Sequence, residues 1–268
     1  MTKNKLKKQS IQMPSQQRFN HNRQAPVVSL LDTMVDGREF ESLLKIKQVN
    51  IDVLTEIRRA LKDISDLRNR PNIAYMANVI NPNIKAVRSI EYSDDLPFSE
   101  LVNTVSAGAK NLDVILVTPG GSGTQVAKFV DKLRPKFDNV SFIIPNIAMS
   151  AGTIFAMSGD EIVMTNSSYI GPVDPQVPNK DGMYVPAQAI LTLIDEIQTR
   201  GDAAIKRGIN PDWTDLQILR QIDPKEIGNA INGSKYSVEL VENYLHDYKF
   251  KNWIAHSNGT PVTKGQKR

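Results

Sequence analysis

Cysteine is absent from this chain of 268 residues, and histidine occurs only three times. The first absence excludes disulfides, thiolate nucleophiles and cysteine-based metal sites, and it favours a reducing cytosol. The second leaves His21, His246 and His256 far apart, in no spacing that a metal uses. Nor does any run approach the ~20 apolar residues needed to span a bilayer. The first residues lack the apolar core of a signal peptide. These absences set the expectation of a cytoplasmic protein with no metal and no transmembrane segment.

What is present is ordinary for a soluble globular chain: 40% apolar and 23% charged residues. The length suits one large domain or two small ones, with a core that needs no staples. The net charge of +4 belongs to one end. Residues 1–25 hold Lys3, Lys5, Lys7, Lys8, Arg18 and Arg23 and no acid, which leaves 27 bases against 29 acids elsewhere. This stretch reads as a disordered basic tail, open to weak contact with nucleic acid or anionic lipid, or simply solubilising.

Apolar residues from Phe40 to Leu67 recur mostly three or four apart, which predicts helix over 37–69, ended by Pro71. Strands are expected from Ile73 to Ile80 and from Val87 to Tyr92, then a helix over 97–108. Asp94 and Asp95 read as helix caps rather than as a catalytic pair. Residues 171–182, rich in proline and ending in Asn-Lys-Asp-Gly, read as a loop. Helices are then expected over 186–206, 212–221, 224–231 and 237–248.

The chemistry concentrates in residues 113–176. The apolar run Val114–Val117 breaks at Pro119-Gly120-Gly121, a helical pattern follows, and the run Val140–Ile144 leads into Ala148-Met149-Ser150-Ala151-Gly152-Thr153. Short β-branched runs alternating with helix read as β-α-β units of a buried parallel sheet. Both special turns then fall at the carboxyl ends of neighbouring strands, where such sheets bind ligands. Ser150 would open a helix, facing a glycine turn whose backbone can approach closely. The N–H groups of Gly120 and Ala151 would hold a tetrahedral oxyanion, which points to acyl transfer. The alternative is a serine that merely caps its helix.

These residues carry a resemblance. Thr118-Pro119-Gly120-Gly121, Ala148-Met149-Ser150-Ala151-Gly152-Thr153, Asp160-Glu161-Ile162-Val163-Met164 and Ile170-Gly171-Pro172-Val173-Asp174-Pro175-Gln176 resemble, in order and separation, the Clp-protease/crotonase superfamily. More narrowly they resemble its signal-peptide-peptidase-like and serine dehydrogenase proteinase members. The likeness runs over about residues 85–200. It implies an α/β fold: a repeated β-β-α superhelix with a parallel sheet, here with added N-terminal and C-terminal helices. It also implies Ser150 as nucleophile, Gly120, Gly121 and Ala151 at the substrate and oxyanion site, peptide or unfolded protein as substrate, and a homo-oligomer. The expected division is tail 1–25, helical segment 26–70, catalytic core 71–208, and C-terminal helices and tail 209–268.

A serine hydroxyl needs a base near neutral pH. Aligned with the superfamily, the Clp-type histidine falls at Gly171 and the signal-peptide-peptidase lysine near Gln188, so neither solution transfers. Lys180 is the leading candidate, with Asp174 to orient it, act directly, or serve only as a loop carboxylate. Lys206, His256 and a lysine of another subunit stay open. A non-hydrolytic peptide-binding or assembly protein on the same scaffold is the rival reading. A nucleotide site at Gly121-Ser122-Gly123 is disfavoured, because Val126 stands where a dinucleotide fingerprint needs glycine and no phosphate-loop lysine follows. No cofactor is expected.

Overall fold

A computed structural model describes residues 53–77, 79, 89–179 and 181–252. The chain divides into two units, Met1–Lys62 and Asp63–Arg268. Of the first, only the opening of helix α1 (Val53–Arg68) is described. The tail, the first half of the predicted 37–69 helix, residues 81–88 and Lys180 lie outside the described residues.

The second unit is built on a four-stranded parallel sheet. Its strands are β1 (Asn72–Met76), β2 (Asn111–Val117), β3 (Asn139–Ile144) and, beyond the two-residue strand β4 (Ile147–Ala148), β5 (Glu161–Met164). They lie in the order β1-β2-β3-β5. Asn72 pairs with Asp113, Val114 with Phe142, and Phe142 with Ile162. From Leu112 to Val117 every residue of β2 is buried. That is why this run is continuously apolar rather than alternating: a central parallel strand is covered on both faces. The α/β class and parallel sheet read from the sequence are what the chain adopts.

At the amino ends of the strands, two arginines stitch the sheet. The Asp113 carboxylate, fully buried, pairs with Arg68. Arg70 Nε lies 3.1 Å from the same carboxylate but is not aligned to donate a hydrogen bond. The Arg70 guanidinium instead donates to Ser141 Oγ, 2.9 Å away, and to Asn139 Oδ1, 2.7 Å away. Ser141 Oγ donates to Glu161, which also takes Arg68. The Ser141 hydroxyl, then Arg68, hold the Glu161 carboxyl below its ordinary value. One connected network thus spans β2, β3 and β5. A buried carboxylate left unpaired would cost about 3–5 kcal/mol.

Helices cover the sheet. After the single-turn helix Tyr92–Asp94, helix α2 (Asp95–Thr104) contributes Phe98, and α3 (Gly123–Leu133) contributes Val126, Phe129, Val130 and Leu133. Phe98 stacks on Phe129 with centroids 4.0 Å apart, and Phe155 meets both Phe129 and Phe142. Such ring pairs add roughly 0.5–1.5 kcal/mol each beyond area burial. Asp94 and Asp95 act locally. Asp94 accepts from the Glu91 amide and the Tyr75 hydroxyl, while Asp95 pairs with Lys132.

Short pieces complete the mouth side. Strand β6 (Tyr169–Ile170) pairs in parallel with β4, and β7 (Gln176–Pro178) pairs antiparallel with β8 (Tyr184–Pro186). The stretch read as a plain loop over 171–182 therefore contains one arm of a hairpin, turned by Asn179, whose Oδ1 accepts from the amides of Asp181 and Met183. Helices α5 (Ala187–Lys206), α6 (Trp213–Gln221) and α7 (Pro224–Tyr244) follow, with a π-helical turn at Leu245–Lys249. The two helices expected over 224–231 and 237–248 are one. Gly233 does not break it, because tertiary contact overrides propensity. A Cβ at 233 would stand 3.4 Å from Pro175, so this glycine marks where the helix lies close to the hairpin's entry. Among the described residues no helix is long and apolar enough to cross a membrane.

Asp160, just before β5, closes the far side. Burial pushes its pKa up, but hydrogen bonds from Arg134, Lys251 and the Val140 amide outweigh burial and lower it to about 2. A carboxylate depressed on folding stabilises fully above its unfolded pKa, near 4, and loses that stabilisation as pH falls toward 2. Asp160→Asn is therefore expected to cost about 2 kcal/mol at neutral pH and much less near pH 2. Urea unfolding followed across that range checks this. An equal loss at both ends would refute it.

Candidate active site

The carboxyl ends of β2 and β4 are locked together at Thr118. Its amide donates to Ile147 O at 3.0 Å, and its carbonyl accepts from the Met149 amide at 3.0 Å. Gly152 is packed onto it, where a Cβ would lie 2.4 Å from Thr118 Cγ2. Two chain segments thus leave this clamp side by side. One is Pro119-Gly120-Gly121, and the other is Met149-Ser150 followed by helix α4 (Ala151–Met157).

The glycine turn is narrow on both flanks. Gly120 has φ 111° and lies against Ser150: a Cβ there would be 2.8 Å from Ser150 Cβ. Gly121 has φ 143°, and its Cβ would fall 2.3 Å from Ile90 O. Ile90 brackets the turn, donating to Gly120 O and accepting from the Ser122 amide, each at 2.8 Å. Only glycine fits both positions.

Ser150 adopts φ 51° and ψ −120°. For a residue with a side chain this conformation costs about 1–3 kcal/mol, and such outliers gather at functional sites. Its side chain does not cap α4. Among the described residues Ser150 Oγ has no hydrogen-bond partner, and Ser150 lines a groove of ≈ 720 Å³ with Gly120, Gly121 and Ala151. The Gly120 amide donates to Thr118 Oγ1 at 3.1 Å. The amides of Gly121 and Ala151, by contrast, donate to no described group.

The candidate bases are not gathered in the same way. Lys180 and His256 lie outside the described residues. Lys206 is exposed at the end of α5, away from the groove, and His246 sits beside Asp247. Val173 and Pro175 line the groove, but Asp174 between them does not. A Cβ at Gly171 would fall 2.1 Å from Met149 Cε, so a side chain there needs the end of Met149 to move. Gln188 is exposed and donates to Thr192 Oγ1. Among the described lining residues there is no lysine or histidine.

Sequence reasoning missed the groove's other walls. Glu91, Tyr184, Tyr236 and Ser237 line it, two of them from α7, more than 80 residues beyond Ser150. The available signal was Gly233 inside a helical pattern, since an isolated helical glycine often has a packing reason.

Part of the chain is similar to known serine proteinases. Residues 99–207 match the model of the ClpP-like SDH-type serine proteinase family. The matched span contains the clamp, the glycine turn and Ser150. Two uncharacterized proteins of Methanocaldococcus jannaschii are similar. One is 28% identical over 177 residues, covering 64% of this chain and 59% of the relative. The other is 39% identical over 80 residues, covering 30% and 26%. The chain thus spans less than two thirds of either relative. Among solved structures, a membrane-bound stomatin-specific protease in complex with a substrate peptide aligns at 22% identity and TM-score 0.33, covering 49% of this chain and 60% of that one. The ClpP protease catalytic domain from Plasmodium falciparum aligns at 13% identity and TM-score 0.28, covering 38% and 60%.

The backbone strain at Ser150 is measurable. Ser150→Gly should be more stable than Ser150→Ala by about 1 kcal/mol, because relief of the strained φ exceeds the ~0.5–1 kcal/mol entropic cost of glycine. Urea titrations of the two variants compare them directly. An alanine variant as stable as the glycine one would show that the corner is unstrained.

Proposed function

We propose that the protein is a serine endopeptidase with Ser150 as nucleophile. Ser150 Oγ attacks the peptide carbonyl carbon, and its proton passes through a base to the departing amine. Water then hydrolyses the acyl ester, releasing the acid and restoring the hydroxyl. The tetrahedral oxyanion is held by the amides of Ala151 and the glycine turn. On that turn Gly121 has its N–H unbonded, whereas Gly120 already donates to Thr118. We therefore favour Gly121 over Gly120 as the second donor. The observation that carries the reading is the unbonded hydroxyl on a left-handed serine, facing a groove beside two unbonded amides.

The base remains Lys180 in this reading, placed by sequence between Asn179 and Asp181 in the turn of the β7–β8 hairpin, whose Gln176 and Tyr184 line the groove. Asp174, with both neighbours in the groove wall, is the supporting carboxylate. The lack of lysine and histidine among the described lining residues favours one rival, a peptide-binding protein that does not hydrolyse. A fluorophosphonate probe separates the two. Labelling of the wild type, lost in Ser150→Ala together with at least a ~10³-fold fall in peptide hydrolysis, is expected of the peptidase. A folded wild type that never labels would establish the binder.

A homo-oligomer belongs to the same reading. Ile205, Ile209, Trp213 and Leu216 are 64%, 54%, 71% and 48% exposed around the turn from α5 to α6. Apolar side chains gathered in this way support an interface with a second copy. Light scattering at micromolar concentration should give a multiple of 29.9 kDa, and a monomer would contradict it.

A further inference from the structure

We propose that the groove beside Ser150 selects peptides carrying a lysine or arginine side chain, and that Glu91 is the residue that reads it. The inference deepens the peptidase reading and rests on it for the identity of the ligand as a peptide.

Among the described residues lining the groove, Glu91 alone carries a formal charge. The remainder is backbone, aliphatic side chain, hydroxyl and one amide, Gln176. Glu91 is firmly placed. It follows Ile90, whose two 2.8 Å bonds fix it to the glycine turn. Its own amide donates to Asp94 Oδ2 at 2.9 Å, and its carbonyl accepts from the Asp94 amide at 3.0 Å. Both bonds are made by its backbone, and the carboxylate has about four acceptor sites to offer a ligand.

The nearby cations are spent elsewhere. Lys132 pairs with Asp95 at 2.7 Å, and Lys128 sits over the Tyr92 ring, 4.7 Å from its centroid. Glu91 has no ion pair among the described residues. A carboxylate held by its backbone, lacking a cation and facing an otherwise neutral groove gives the site a negative field. A basic side chain entering with the substrate would complete the pair, and an acidic one would be repelled. Recognition of this kind contributes by pairing and by excluding the wrong sign.

The test uses three matched peptides differing at one position near the scissile bond: lysine, its neutral isostere norleucine, and glutamate. Each position on either side is varied in turn. At the best position, kcat/KM for the lysine peptide should exceed that for norleucine about fivefold at low salt, the upper end for a partly exposed pair. High salt should shrink this ratio. In Glu91→Gln, which removes the charge and leaves the backbone bonds to Asp94 in place, the ratio should fall to near one. In Glu91→Lys the glutamate peptide should be favoured. A ratio unaltered in Glu91→Gln, or a wild-type preference absent or insensitive to salt, overturns the proposal. The same peptides bound to Ser150→Ala, read by fluorescence anisotropy, separate the two claims. A lysine preference in binding, with no cleavage by wild type, defeats the peptidase reading and leaves the role of Glu91 standing. Cleavage without any charge preference does the reverse.

Discussion

Everything at the mouth of the sheet depends on two backbone hydrogen bonds made by one residue. Thr118 donates to Ile147 and accepts from Met149, so the end of β2 is fastened to the segment that carries Ser150. The fastening is made without side-chain bulk between the strands, because Gly152 has no Cβ to strike the Thr118 methyl. Its hydroxyl also occupies the Gly120 amide. One threonine thereby sets the separation of the two segments and decides which glycine amide is left without a partner. The strain at Ser150 follows from the same arrangement. The chain must turn from a bridge with Thr118 into α4 within two residues, and a positive φ is how it does so.

The opposite end of the sheet is held by different physics. There Asp113, Arg68, Arg70, Ser141 and Glu161 form a polar network, with the Asp113 carboxylate fully buried. An ion network is rigid only when its members are satisfied. Here nearly every polar atom is paired, and Arg70 Nε is the exception among the described residues. Between the two ends lies the aromatic column of Phe98, Phe129, Phe155 and Phe142. A stitched edge and a packed middle let the other edge hold a strained residue, since local strain persists only where the surroundings over-determine it.

The strands and the two special turns were legible in the sequence because each is written locally. Val114–Val117 and Val140–Ile144 are short β-branched runs cut by proline and glycine, and they are strands β2 and β3. Ser150 was legible for the same reason, as a small polar residue between a strand and a glycine-containing helix start. The long helix α7 was not, because Gly233 and the polar stretch around it look like a break. At Gly233 the helix passes close to Pro175, far away in sequence, where an added Cβ would stand 3.4 Å from the proline ring. Glu91 was invisible too. Its place in the groove comes from the bridge of Ile90 to Gly121, a pairing between residues 31 apart with no signature in either segment.

Gly171, where the resemblance read from the sequence would put a histidine, shows how this part of the mouth is filled. Gly171 is not merely a residue lacking an imidazole. The Met149 side chain occupies the space a side chain at 171 would need, and Gly171 is tied by its amide and carbonyl to Thr153 Oγ1. A side chain at 171 would require the flexible end of Met149 to swing aside, while the Met149 amide that closes the Thr118 clamp could stay where it is. Among the described residues, the groove lining offers no lysine or histidine beside Ser150. The core supplies strain, open amides and a groove whose one charged lining residue among those described is Glu91, and the proposed peptidase would draw its base from elsewhere. On that proposal Lys180 is the base to test first, because Gln176 and Tyr184, on either side of it in sequence, line the groove.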